Sequence, residues 1–172
     1  MRIVNCIAKW PGSVHDSRIL RESQLFTAFE SPRKPLTGVF LGDSGYMLRD
    51  WLLTPILNPR NQQERAYTDA HCITRSTVER CIGVLKRRWH CLHGEIRLSP
   101  AKACKVICAC VMLHNRATEL GLPPPAGGDD QPDDQDNNPL PPVDRGNAPL
   151  VAERVRNAAG KVARDAVVRN YF

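Results

Sequence analysis

No stretch of the chain reaches the roughly 18 consecutive apolar residues that a membrane-spanning helix needs, and residues 1–20 lack the succession of charged, apolar and small residues found in a secretory leader. A disulfide framework is missing too. The seven cysteines are odd in number and scattered through apolar surroundings, a pattern that predicts free thiols in a reducing compartment, the nucleus or the cytoplasm. The expectation is a soluble intracellular protein with no membrane contact. What is present suffices for a core. With 172 residues, 42% of them hydrophobic, one domain of ordinary size plus a tail is expected.

Charge is unevenly placed. Residues 1–120 carry 18 Lys and Arg against 10 Asp and Glu, whereas residues 121–172 carry 6 against 8. A basic folded part suits a polyanion such as nucleic acid, although mildly basic proteins without such a partner are common. Residues 121–149 hold eight of the fourteen prolines and six Asp against one Arg. Such a segment cannot bury enough apolar surface to offset the entropy of ordering, so it reads as a disordered acidic linker. The domain boundaries expected are therefore 1–120, 121–149 and 150–172, the last a short basic helix free to dock on the domain or to meet a partner.

Along the chain, the β-branched run from Arg2 to Trp10, stopped by Pro11-Gly12, predicts a strand. Ser13 is an N-cap candidate with Asp16 three residues on, a spacing that matches a capping box. Gly38-Val39-Phe40-Leu41 reads as a short buried strand ending just before Asp43. The apolar run Trp51 to Ile56, broken by Pro55, reads as a short helical turn or an edge strand. From Gln62 the pattern turns helical for about thirty residues, as two helices meeting near Ala70 to Thr74. In the second, Val78, Ile82, Leu85, Trp89 and Leu92 form one apolar stripe. Ser99-Pro100 opens a further helix, almost wholly buried over Val106 to Leu113. Cys104, Cys108, Cys110 and His114 on that helix are zinc-ligand types, but their apolar neighbours favour buried thiols.

Asp43 and Glu79 are the pair that bears on function. With 35 residues between them, a strand end and a helix of one α/β layer can bring two acids to a shared metal. Each also has a plainer reading. Asp43-Ser44-Gly45 is a common Asx turn at a strand end, Glu79 can pair with Arg75 one turn earlier on its helix, and Asp16 can be only a cap.

Seven motifs occur in an order that resembles the PIF/Harbinger transposases and the nucleases derived from them, a DDE superfamily. They are Trp10-Pro-Gly-Ser-Val-His-Asp-Ser, Leu41-Gly-Asp-Ser-Gly-Tyr, Leu52-Leu-Thr-Pro, Ala66-Tyr-x-x-Ala-His, Val78-Glu-Arg-x-x-Gly-Val-Leu-Lys, Cys91-Leu-His and Leu113-His-Asn. The similarity covers residues 2 to about 118, and the closing Val-Arg-Asn-Tyr-Phe adds a weaker signal.

The resemblance implies an α/β, RNase H-like DDE nuclease core whose carboxylates hold Mg²⁺ or Mn²⁺. The family's metal-binding acids fall on Asp16, Asp43 and Glu79, with Asp43 and Glu79 as the catalytic pair. Hard oxygen ligands suit these cations. DNA is the implied substrate, and a nuclear location the matching expectation. Arg75, Arg80, Lys86, Arg87 and Arg88 are the expected DNA contacts, and a separate DNA-binding protein is an expected partner.

One family feature has no counterpart. The first catalytic Asp, on an Asp-Gly-Thr-like strand, precedes the segment that opens this chain. The expectation is a core lacking its first strands, followed by the acidic linker and the short C-terminal helix, with impaired metal-dependent DNA cleavage. The alternative is a non-catalytic DNA-binding or protein-interaction remnant of a domesticated transposase.

Overall fold

Among the residues that the computed structural model describes, 1–10, 12–126 and 151–172, the order is α1 (Asp16–Arg21), α2 (Gln24–Glu30), β1 (Phe40–Leu41), β2 (Leu52–Leu53), α3 (Gln62–Arg88), a 3-10 turn (His90–Leu92), α4 (Pro100–Glu119) and α5 (Val151–Tyr171). The architecture is mixed α/β and helix-rich, with one two-stranded sheet. The described residues divide into two compact units, one of residues 15–75 and 151–172, the other of residues 1–10, 12–14 and 76–126. The expected acidic linker lies outside the described residues from position 127 on.

The first unit carries the strands. Phe40 and Leu41 pair in parallel with Leu52 and Leu53, and the Gly42 N–H extends the ladder by donating to Leu53 O at 2.9 Å. The edge-strand reading of 51–56 is therefore the one the chain adopts. Phe29, Trp51 and Leu52 are buried beneath, with Phe26, Phe40 and Tyr46 packed on them. Phe29 and Trp51 stack at 5.3 Å, and Phe40 meets Phe29 edge-on at 5.0 Å. Truncating a buried aromatic of this kind costs about 3–5 kcal/mol.

Arg49 lies inside this unit, its side chain 1% exposed. Its guanidinium donates to Glu30 Oε1 at 3.1 Å, to Glu153 Oε1 at 2.7 Å, to Leu48 O at 2.9 Å and to Asn157 Oδ1. A buried charge is tolerated only when its donors are matched in this way. Two of those acceptors belong to α5, so the C-terminal helix is docked on the strand-bearing unit. Gly160 makes the approach close: a Cβ there would come within 2.8 Å of the Arg49 Cα.

Residues 62–75 of α3 complete the unit. Asn61 caps the helix, its Oδ1 accepting from the Glu64 N–H at 2.8 Å, while Glu64 Oε2 accepts from the Arg60 N–H at 2.6 Å. Tyr67 donates its hydroxyl to Thr54 O at 3.1 Å, and one turn later His71 Nε2 meets Leu53 O at 3.2 Å. These side chains thereby fasten α3 to the end of β2 and the residue after it. Contrary to the expected break near Ala70 to Thr74, α3 is one continuous helix. No Gly or Pro interrupts that stretch, and Thr74 Oγ1 folds back onto Ala70 O at 2.8 Å.

In the second unit the expected strand over Arg2 to Trp10 does not form. A side chain takes the place of a neighbouring strand there: Asn115 Oδ1 accepts from the Ile3 N–H and its Nδ2 donates to Ile3 O, both at 2.8 Å. Leu85, Cys110 and Val111 form the core, with Ile3, Trp89, Leu92 and Val106 against it. Two further expectations are corrected. Val78 and Ile82 are exposed and Cys81 is buried, whereas Leu85, Trp89 and Leu92 of the expected stripe do pack on the core. On α4, only Cys110, Val111, His114 and Ala117 are buried, whereas Met112 and Leu113 are exposed and so is the Cys108 thiol. One unit's single layer can cover only one face of such a helix.

Candidate active site

Asp43 follows β1 directly, and its carboxylate is held in place. Oδ1 accepts from the Gly45 N–H at 2.8 Å, an Asx turn, and Oδ2 lies 3.4 Å from Arg75 Nη1. The plainer reading of Asp43-Ser44-Gly45 is thus formed, and it leaves Asp43 paired with a cation besides. Arg75 reaches it because Tyr67, His71 and Arg75 follow one another at four-residue steps along one face of α3, the first two fastened to β2.

Asp16 opens α1 as its first residue. Its cap is His15, whose Nδ1 accepts from the Ser17 N–H at 3.2 Å, so Ser13 and Asp16 do not make the expected capping box. An accepting Nδ1 leaves the proton of a neutral imidazole on Nε2. The His15 ring lies at the Asp43 loop: a Cβ on Gly45 would sit 3.1 Å from Asp43 Oδ1 and 3.4 Å from His15 Cε1. Gly42 is needed for a similar reason, since a Cβ there would be 3.0 Å from Tyr46 Cδ2.

Tyr46 stands near both acids. Its hydroxyl is pushed up to about 12, first by burial, then by the negative charges of Asp16 and Asp43, with Arg75 opposing. Neither Tyr46 nor His15 was singled out from sequence. The Gly-Asp-Ser-Gly-Tyr spacing, which returns the chain over its own carboxylate, was the available signal. Burial also pushes the His71 imidazole down, against its bond to Leu53 O and aided by Arg75. His71 is therefore neutral near pH 7 and serves as an anchor.

Glu79 stands exposed on α3, one turn beyond Arg75, in the part of the helix that belongs to the second unit. Arg80 is also exposed and donates to Thr77 Oγ1 at 3.3 Å. Arg88 donates to Leu122 O at 2.7 Å and to Pro123 O at 3.1 Å, so part of its hydrogen-bonding capacity serves the chain. Lys86 and Arg87 are half-buried.

Among the described residues no group of three or more His, Cys, Asp or Glu is placed to hold a metal ion. The donor chemistry of Asp16 and Asp43 nevertheless fits a hard divalent cation. Two carboxylates, an oxygen-only ligand set, concentrate negative potential at Tyr46, and one of them already attracts a guanidinium.

The HARBI1 proteins of Mus musculus and Homo sapiens, whose names call them nucleases, are 36% and 34% identical to the chain over 154 residues, 86% of this chain and 42% of each of theirs. An ALP1-like protein of Arabidopsis thaliana is 29% identical over 129 residues, 67% of this chain and 32% of its own length. The chain thus spans about two fifths of the HARBI1 relatives it matches. No solved structure matches it. The family described as DDE superfamily endonuclease matches residues 1–115, and with the Harbinger-derived relatives this establishes that the chain belongs to the DDE superfamily endonucleases, among the transposase-derived nucleases.

Proposed function

We propose that Asp16, Asp43 and Glu79 are the metal-holding acids of an RNase H-like, Harbinger-type enzyme that hydrolyses or transfers DNA phosphodiesters in the nucleus with Mg²⁺ or Mn²⁺. The observation that carries this reading is the seating of the His15 ring, next to Asp16 in the chain, against the Gly45 turn that holds the Asp43 carboxylate, in a family whose members generally use divalent metal ions. Glu79, one turn along α3 from the Asp43 partner Arg75, is the third acid of the proposal.

When bound, the cation supplies Lewis acidity at the phosphoryl oxygens and lowers the pKa of a coordinated water. Asp16 and Asp43 provide hard oxygens, and the Gly45 N–H and Arg75 hold Asp43 in one orientation. Tyr46 stays protonated at neutral pH, so it is a hydrogen-bond donor beside the acids and not a base. Arg75, Arg80, Lys86, Arg87 and Arg88 are the proposed phosphate contacts along α3, and a separate DNA-binding protein the proposed source of sequence recognition.

The test is metal-dependent nicking of supercoiled plasmid by this chain extended at its N-terminus with an Asp-Gly-Thr strand of the family type. Asp43→Asn or Glu79→Gln should abolish the nicking. Full nicking by the extended Glu79→Gln variant would remove Glu79 from the site.

The non-catalytic reading draws on one feature, that both Asp43 oxygens are engaged. Calorimetry separates the two readings: an extended protein that takes up no divalent ion at neutral pH is a DNA-binding or interaction module.

A further inference from the structure

The first half of α5 is occupied with docking. Glu153 pairs with Arg49 and Arg21, Arg156 with Glu30, and Asn157 accepts from Arg49. The second half differs. Lys161, Arg164 and Arg169, at helical spacings of three and five, form no ion pair among the described residues, and the buried Nε of Arg164 has no hydrogen-bond partner there.

These three cations and Arg60 line a cleft of about 650 Å³ within the strand-bearing unit, to whose lining Ser44 and Tyr46 of the Asp43 loop also contribute. Its acids are fewer. Glu64 is turned to the Arg60 backbone N–H at 2.6 Å, and Asp165 is the other. A cleft whose lining has a surplus of positive charge favours an anion. Its position beside Ser44 and Tyr46 favours an extended one that continues toward the carboxylates.

We propose that this cleft holds the sugar-phosphate backbone of DNA, with Arg60, Lys161, Arg164 and Arg169 contacting successive phosphates beside the Asp43 loop. The proposal rests on reading Asp43 as part of the reaction centre. It makes the C-terminal helix a substrate-binding element, and it adds a phosphate track that the basic residues of α3 do not contain. The contacts are to phosphate, so the binding is independent of base sequence and steeply dependent on salt.

The test is fluorescence anisotropy of the full chain with a labelled DNA duplex in chelator, where no cleavage can occur, across a salt series. Lys161→Glu/Arg164→Glu is compared with Arg33→Glu/Arg154→Glu, two exposed cations outside the cleft whose replacement changes the net charge equally. The cleft pair should weaken binding about tenfold or more and lower the slope of log affinity against log salt by about two, while the other pair changes affinity less than about threefold. Lys161→Gln/Arg164→Gln, which introduces no repulsion, should move in the same direction with an unchanged melting temperature. Equal losses in the two charge-reversed pairs, or no loss in the cleft pair, would overturn the proposal. So would displacement of the duplex by millimolar inorganic phosphate at constant ionic strength, which indicates a small-anion pocket. Because binding is read without metal, a chain that never cleaves leaves the cleft standing, and a cleft pair with normal affinity leaves the assignment of the acids standing.

Discussion

Trp51 and Leu53 of the strand-bearing unit are each 1% exposed, whereas in the unit built on α4 the best-covered apolar side chains, Cys110, Cys81 and Leu85, are 6%, 7% and 8% exposed. The first unit closes around interlocking aromatic rings and a guanidinium matched on every nitrogen. The second relies on aliphatic and thiol side chains, with Trp89 against them, and on the Asn115 clamp. Rigid rings and a saturated ion network permit few alternative packings, and the Asp43 loop is built on that rigid part, where a carboxylate can be held in one orientation.

The most severe way to break the first unit is Arg49→Ala, which removes the buried cation between Glu30 and Glu153 and leaves them only the exposed Arg156 and Arg21 as charge partners. It should destabilise the fold by about 3–5 kcal/mol, measured by urea unfolding followed through tryptophan fluorescence. The same variant should alter the pH profile. Burial raises the Glu153 pKa, but the hydrogen bond and charge of Arg49, then Arg21 and Arg156, outweigh it and hold the carboxyl below its ordinary value of 4.5. A depressed folded pKa contributes stability that is present above the unfolded value and is lost as pH falls through the folded one. Acid destabilisation below about pH 4.5 should therefore be shallower in Arg49→Ala than in the parent chain. An unchanged acid limb would exclude this pair as its source.

In the second unit Asn115→Leu removes both bonds to Ile3 and leaves a part-buried backbone N–H and C=O without their partner. A loss of about 1–3 kcal/mol is expected, with residues 1–10 becoming open to proteolysis. Protection equal to that of the parent would show that the His114 contact with Met1 O, at 3.2 Å, holds the segment without help.

The smallest effect is also the sharpest comparison, because one substitution should take opposite signs in the two units. At Gly160 a methyl would lie 2.8–2.9 Å from Arg49 backbone atoms, so Gly160→Ala should cost about 1–3 kcal/mol through overpacking. At Gly83, inside α3 with nothing within 4 Å of an added Cβ, Gly→Ala should stabilise by about 0.5–1 kcal/mol. Thermal melts of the two variants decide it, and a shared sign would mean that helix propensity outweighs packing at Gly160.

Several elements were legible because local chemistry dictates them. Gly38 and Gly42 bracket β1, which is half-buried, not buried as expected, Pro100 after Ser99 begins α4, and Val151–Tyr171 is helical as its apolar and basic spacing suggests. Other elements were misread because the deciding partner is remote in sequence. Arg2 to Trp10 has the composition of a strand, yet its backbone partner is an asparagine side chain 112 positions away. His15 does not have the usual residue type of a helix cap, and it takes that place because its ring fits against Gly45 and Asp43.

The sequence by itself determined the family. Asp16, Asp43 and Glu79 in their motifs, the basic residues of α3 and a mixed α/β pattern are local features that need no tertiary contact to be recognised. Tertiary structure alone decided that Arg75 stands against Asp43, that Tyr46 feels Asp16 and Asp43 together, and that the last turns of α5 line a basic cleft beside them. Coulomb interaction and desolvation depend on separation in space, and the separations that matter here are set by Gly160 against Arg49 and by Tyr67 and His71 against β2.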